Sequence, residues 1–141
     1  MVTKKDLGAL LFLVSRAHHN YASQVFQAID MPRGQPGVLF ELDHQDGLTQ
    51  SVLAARMELT PATLTNMLHR METAGLIHRE RDAQDGRISH IFLTDKGKAR
   101  LQEAKSMAER IDKAAFAGFT PEEQVIIGNF LHRIHENLTH P

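Results

Sequence analysis

The sequence predicts a mainly helical domain with a small β-hairpin, that is, an α+β fold, and three observations support this prediction. Apolar residues recur at intervals of three or four along most of the 141 residues, which is helical spacing. Threonine stands at the start of several of these segments, where it can cap a helix. Only residues 77–93 differ, because two short segments flank an Asp-Gly pair that is typical of a hairpin turn.

Composition excludes several classes of protein. The chain has no cysteine, so disulfide scaffolds, thiolate zinc sites and cysteine nucleophiles are excluded. No apolar segment approaches the roughly 20 residues that span a bilayer, and we therefore expect a cytoplasmic protein without a membrane partner. The net charge is −1, from 16 basic and 17 acidic residues, so DNA binding would have to depend on local charge placement.

The first part of the chain predicts three helices in succession. Residues 5–29 carry apolar side chains at helical spacing, and the proline- and glycine-rich segment 31–37 interrupts the pattern. A short helix is predicted over 38–44. Thr49 is a suitable N-cap for a third helix, which ends near Met57.

A fourth helix is predicted over 61–73. It opens at Thr60-Pro61, because threonine caps the backbone and proline fits the first helical position. It closes before Gly75, which suits a left-handed terminal residue. The third and fourth helices together predict a helix-turn-helix, a unit whose second helix enters the DNA major groove.

The fourth helix has a core stripe at Leu64, Leu68, Met71 and Gly75 and a small polar face opposite it. An amide and a guanidinium on that face can pair with base edges, and methyl groups can touch thymine. An ordinary solvated helix face has the same composition, so the pattern alone leaves both interpretations open. The face comprises Ala62, Asn66, His69 and Thr73, with Thr63 and Arg70 beside it.

Segments 77–81 and 87–93 predict a two-stranded antiparallel hairpin, which we call the wing. The wing carries several arginines, among them Arg79 and Arg87. Arg87 can reach a narrow minor groove, where the potential is most negative. Asp85 is close enough to hold the Arg87 fork in a bidentate pair, although a surface ion pair of little consequence is the alternative.

Two further helices are predicted over 95–117 and 121–138. Thr94 caps the first, and Thr120 with Glu123 forms a capping box for the second. Both repeat apolar residues at near-heptad spacing. This spacing predicts a dimer interface, and packing of the two helices on each other within one chain is equally open.

Several motifs together carry a resemblance that covers about 35–101. The Asp-Gly-Arg wing followed by Leu-Thr-x-x-Gly is the most specific of them. The chain resembles the MarR family of bacterial and archaeal transcription regulators through Gly47-Leu48-Thr49-Gln50, Leu53-Ala54, Thr60-Pro61-Ala62-Thr63-Leu64-Thr65-Asn66, Arg70-Met71-Glu72, Gly75-Leu76-Ile77, Asp85-Gly86-Arg87 and Leu93-Thr94-Asp95-Lys96-Gly97.

The resemblance implies one winged helix-turn-helix domain over 1–141 that forms a homodimer. The DNA-binding portion is 35–93, and the dimerisation helices lie within 5–29 and 95–138. The expected function is ligand-responsive repression from a pseudo-palindromic double-stranded DNA operator. By similarity, phosphate lies near Gln50 and Ser51, the major groove meets Thr60, Ala62, Thr63, Asn66 and Arg70, and the wing adds Arg79 and Arg87, with Asp85 in support.

Two further expectations come from the resemblance. Met67 replaces the basic residue that many relatives carry, so one groove contact is expected to be missing. In family members, small aromatic or amphipathic effectors bind between the dimerisation helices and the winged portion. Here that crevice would include Phe12, His18, Tyr21 and Phe40.

Histidines are numerous, with nine in the chain, but their spacing does not predict a metal site. His132 and His135 are three residues apart and are best explained as a surface pair, while His18 and His19 are expected to be partly buried near the dimer interface. No nucleophile motif or phosphate-binding loop occurs, so we expect neither an enzyme nor a cofactor. Two alternatives stay open: a winged-helix protein-interaction module and a metal-responsive regulator that uses histidines.

Overall fold

A computed structural model describes residues 3–141, the side chain of Lys5 excepted. Over this range the chain forms six helices and three short strands, which confirms the predicted α+β class. In chain order the elements are α1 Lys4–Gln27, α2 Gln35–His44, β1 Leu48–Thr49, α3 Gln50–Met57, α4 Pro61–Thr73, β2 Ile77–Arg81, β3 Ser89–Leu93, α5 Asp95–Ala115 and α6 Pro121–Thr139.

The sheet has three strands, so the predicted two-stranded hairpin was incomplete. The strand order is β1-β3-β2, and both pairings are antiparallel. Ile91 of the central strand lies opposite Leu48 on one side and Arg79 on the other. β1 has only two residues, which is too short to show the alternation by which a strand is recognised in a sequence.

Helix α2 begins three residues earlier than predicted, at Gln35 rather than Val38. The predicted interruption over 31–37 is therefore wrong for its last three residues. Pro36 lies in the first turn, where its missing N–H is not needed for a helical hydrogen bond. Gly34 precedes the helix with a φ of 85°, a left-handed conformation that glycine adopts without strain.

The core lies between α2, α3, α4, the sheet and the first half of α5. Leu39, Leu53 and Ile91 are fully buried at its centre. The predicted core stripe of α4 is confirmed for Leu64, Leu68 and Met71, which are buried in the same cluster, but not for Gly75, which is exposed beyond the end of the helix. The buried stripe therefore presents the opposite, polar face of α4 to solvent.

The Leu-Thr-x-x-Gly motif joins the wing to α5. Thr94 caps α5 by accepting a hydrogen bond from the Gly97 amide at 3.0 Å. Gly97 is buried against the backbone carbonyl of Leu76, and a Cβ at this position would overlap that carbonyl. Glycine is thus required because the start of α5 packs directly on the chain that leads into β2.

Helices α1 and α6 contribute little to the core of the single chain. No residue of α6 is buried, and Val25 is the buried apolar residue that α1 supplies within the described range. Large apolar side chains on both helices are exposed, among them Phe12 on α1 and Leu131 on α6. Packing within the chain therefore leaves the apolar face of α6 uncovered.

Candidate nucleic-acid interface

The helix-turn-helix has the predicted bounds and caps. Glu58 takes a left-handed conformation, with a φ of 53°, and turns the chain between α3 and α4. The Thr60 hydroxyl accepts a hydrogen bond from the Thr63 amide at 3.3 Å and donates one to the Thr63 hydroxyl at 2.8 Å. These contacts fix the first turn of α4, the end that a recognition helix presents to DNA.

The outward face of α4 is exposed as the helical wheel predicted. Ala62, Thr63, Asn66 and Arg70 are all exposed. Within the described part of the chain, no hydrogen bond or ion pair engages the Asn66 amide or the Arg70 guanidinium. Both groups are therefore available to donate to base edges or phosphates.

Met67 lies beside this face but turns inward. It is half-buried and packs against the core. Its terminal methyl group fills the space that a Cβ on Gly34 would occupy, so Met67 joins α4 to the turn between α1 and α2. The residue that departs from the basic side chain of many relatives thus has a packing role.

The wing carries the predicted arginine–aspartate pair. Arg87 Nε and Nη2 donate to the two carboxylate oxygens of Asp85 at 3.1 and 3.2 Å, a bidentate geometry. This hydrogen bond is the main reason that the pKa of Asp85 is lowered. The Arg87 side chain is 91% exposed, so its fork is oriented while most of its surface is free.

His90 links the loop of the wing to Gly47, the residue before β1, a contact that the sequence did not predict. Its Nδ1 lies 3.0 Å from the Gly47 carbonyl oxygen, and its Nε2 lies 3.0 Å from Asp82 Oδ1. Both partners are acceptors, so the ring satisfies them together only when both nitrogens carry protons. The hydrogen bond to Gly47 and then that to Asp82 raise the pKa of His90, and the bond from His90 lowers the pKa of Asp82.

Three further residues predicted to contact DNA differ in their surroundings. Ser51 is exposed in the first turn of α3. Gln50 and Arg79 instead contact each other, with Arg79 Nη1 donating to Gln50 Oε1 at 2.9 Å. The Arg79 side chain is only 25% exposed. The structure therefore brings these two groups together within the protein rather than leaving both free.

Two cavities lie beside the turn between α1 and α2, with volumes of about 450 and 620 Å³. None of the residues predicted to line an effector crevice, Phe12, His18, Tyr21 and Phe40, lines either of them. The larger cavity instead runs along α4. It is lined by His19, Pro32, Arg33, Gly34, Gln35, Met57, Leu59, Thr63, Asn66, Met67, Arg70 and Met71.

The histidines do not gather into a metal site in the range that the structure describes. No group of three potential histidine, aspartate or glutamate ligands converges there. His132 pairs with Glu136 at 3.2 Å. His18 and His19 are exposed in the single chain, so their predicted partial burial is not seen within it.

Over residues 3–141, no helix is long and apolar enough to cross a membrane.

Sequence comparisons connect this interface to known regulators. The MarR family model matches residues 29–88. The chain is 29% identical over 126 residues to the uncharacterized HTH-type transcriptional regulator YybA of Bacillus subtilis, covering 89% of this chain and 84% of the relative. It is 30% identical over 105 residues to the transcriptional regulator HosA of Escherichia coli, covering 74% and 78%.

Solved structures share the fold over the whole length of the chain. A MarR family protein from Bacillus stearothermophilus gives a TM-score of 0.84 at 24% identity, over 99% of each chain. BpsR of Bordetella bronchiseptica, solved to explain how 6-hydroxynicotinic acid regulates its DNA binding, gives 0.80 at 24% identity, over 96% of this chain and 97% of that one. At this identity the two likenesses show the fold.

Proposed function

The chain belongs to the MarR family of DNA-binding transcription regulators, and from this premise we propose that it is a homodimeric repressor of a pseudo-palindromic operator, released by a small ligand. One observation supports the DNA-binding mode above all others. The exposed face of α4 carries free amide and guanidinium donors, next to a wing whose arginine is already oriented. A protein-interaction module would present an exposed apolar patch there instead.

The proposed contacts divide by the groove they meet. Asn66 and Arg70 read base edges in the major groove, with Ala62 and Thr63 against thymine methyl groups. Arg87 enters the neighbouring minor groove. Thr60 and Ser51 lie at the first turns of α4 and α3, where hydroxyl and backbone N–H groups bind phosphate.

The proposed dimer covers the apolar surface that the single chain leaves open. Leu131 of α6 is 43% exposed and Phe12 of α1 is 64% exposed. A monomeric protein usually leaves less apolar surface exposed to water than these two helices do. A two-fold arrangement of α1, α5 and α6 would bury them and would place two α4 helices about one turn of DNA apart.

The proposed ligand is a small aromatic or amphipathic acid. The cavity along α4 joins cationic side chains, Arg33 and Arg70, to an apolar wall that includes Met67 and Leu59. A carboxylate bound there would occupy the Arg70 guanidinium and so compete with DNA for it. The four residues predicted first, on α1 and α2, stay a prediction for the assembled dimer.

The ligand proposal is tested with 6-hydroxynicotinic acid as the probe. We expect the acid to raise the melting temperature of the protein and to release it from DNA. The Arg33→Met variant should lose this response and keep DNA binding, since Arg33 lies outside the proposed DNA contacts. If the acid shifts the melting temperature and releases DNA equally in the parent and in Arg33→Met, it does not bind in the cavity along α4.

The operator is tested on the DNA that flanks the gene of this protein. Purified protein should protect an inverted repeat there from nuclease, in the presence of heparin as a polyanion competitor. A scrambled duplex of the same length and composition is the control. Equal protection of the scrambled duplex would contradict sequence-specific binding.

A further inference from the structure

A chain of hydrogen bonds runs from the wing to α4 through the start of α3. Arg79 Nη1 on β2 donates to Gln50 Oε1 at 2.9 Å. Gln50 Nε2 in turn donates to the Thr65 hydroxyl at 2.6 Å, and that hydroxyl donates to the Pro61 carbonyl at 2.8 Å. Three consecutive elements, α3, α4 and β2, are thus connected by one path of polar side chains, whose bonded residues are 15 and 29 positions apart.

Arg79 also meets the far end of α4. Its Nε lies 3.6 Å from a carboxylate oxygen of Glu72. Thr65 and Glu72 are seven residues apart, so they lie on the same side of the helix, separated by about two turns. Arg79 therefore holds α4 at two points, directly at Glu72 and through Gln50 at Thr65.

These contacts hold both side chains within the protein. The Gln50 amide oxygen accepts the hydrogen bond from Arg79, and the amide nitrogen donates one of its two hydrogens to Thr65. The charge of Arg79 faces Glu72, and its Nε is buried without a hydrogen-bond partner in the described structure. Swinging either side chain out to DNA would break the path, and moving Arg79 would also give up its ion pair with Glu72.

We infer that Gln50 and Arg79 are positioning residues, which set the angle between α4 and the wing and do not themselves bind DNA. The inference rests on the proposed function, because it assumes that α4 and the wing dock together. Two parts that must enter a major and a minor groove at once need a fixed relative orientation. The path fixes the orientation of α4 relative to the wing through charge-assisted and neutral hydrogen bonds.

Three variants test the inference: Gln50→Leu, Thr65→Val and Arg79→Met. Each should weaken operator binding about tenfold and leave the dependence of log affinity on log salt unchanged, because no phosphate contact is lost. The double variant Gln50→Leu/Thr65→Val should lose far less than the product of the two single losses, since both break one path. Arg87→Ala is the control, and its salt slope should fall by about one.

A salt slope that falls by about one in Arg79→Met would overturn the inference and make Arg79 a phosphate contact. Independent, multiplicative losses in the double variant would overturn it as well. If Arg79→Met fails to fold, the test uses Gln50→Leu, Thr65→Val and their double variant, and compares their losses of operator affinity. A parent protein that binds no operator would refute the proposed function itself, which is a separate outcome.

Discussion

Arg87 shows how a single side chain is prepared for DNA. Asp85 holds the fork from one side by two hydrogen bonds, and the rest of the guanidinium faces solvent. Asp82 shapes the same loop, because its Oδ2 accepts hydrogen bonds from the amides of Gln84 and Asp85, both at 3.0 Å. The guanidinium is thus already oriented in the free protein, which reduces the entropic cost of binding DNA.

Replacing Arg87 by alanine should weaken binding to all duplexes and lower the salt slope by about one. The loss follows from the removal of one phosphate or minor-groove cation. Fluorescence anisotropy at several salt concentrations measures it. Arg110→Ala, which removes an exposed arginine from α5, is the matched control. An unchanged slope in Arg87→Ala would contradict the wing contact.

His90 gives the fold a dependence on pH. Its pKa is raised in the folded chain, so its stabilisation is complete below its ordinary value of 6.5 and is lost as pH rises through the raised value. The pKa of Asp82 is lowered, so its own contribution is lost only as pH falls below its ordinary value of 3.8. The pair should therefore stabilise the wing most between these two values.

The measurement is the melting temperature of the parent and of His90→Gln between pH 5 and 9. The difference between them should be largest at the acidic end and should shrink as pH rises. His44→Gln, at an exposed histidine of α2, is the control and should follow the parent. A difference that does not change with pH would show that His90 is not held in its protonated form.

At the scale of helices and strands, local signals predicted most of the fold. The threonine caps of α3, α4, α5 and α6 lie where the sequence placed them, because a cap and its partner are three residues apart. The Asp85–Arg87 pair was predictable for the same reason.

The long-range contacts were not predictable from the sequence. The path through Gln50 and Arg79 joins residues 29 apart, and the bond between His90 and Gly47 joins residues 43 apart. Such contacts depend on the sheet register, which the sequence did not reveal.

The junction between the wing and α5 should not tolerate a side chain at Gly97. Gly97→Ala forces a methyl group against the Leu76 carbonyl, and we expect a loss of about 2 kcal/mol in the free energy of unfolding. Urea denaturation measures it. Gly86→Ala is the control, because its Cβ would meet nothing within 4 Å. Equal stability of the two variants would contradict the packing described for α5.

At the scale of the whole molecule, one chain leaves most of the apolar side chains of α1, and all of those of α6, at least partly exposed. The core ends at α5, and α6 extends beyond it with no buried residue. A second copy related by a two-fold axis would cover both helices, because in such a dimer both chains contribute the same surface. The sequence predicted this face from its spacing but left open whether another helix of the same chain would cover it.

Leu131→Glu should convert the dimer to a monomer, because it places a charge in the apolar face of α6. Operator affinity should then fall by about a hundredfold or more, since the two half-sites no longer bind as a unit. Sedimentation velocity and anisotropy measure the two effects. Asn129→Glu adds the same side chain to an exposed polar position of α6 and should leave both unchanged. A monomeric parent would contradict the dimer outright.

We propose that the two α4 helices of the dimer enter successive major grooves on one face of the duplex. The most direct test is affinity for a series of operators whose half-sites are moved apart in single base-pair steps. We predict tightest binding at a centre-to-centre distance of about 10 base pairs and a loss of most of the affinity when about 5 are added, which turns one half-site to the opposite face. Affinity that does not change across the series would contradict the claim.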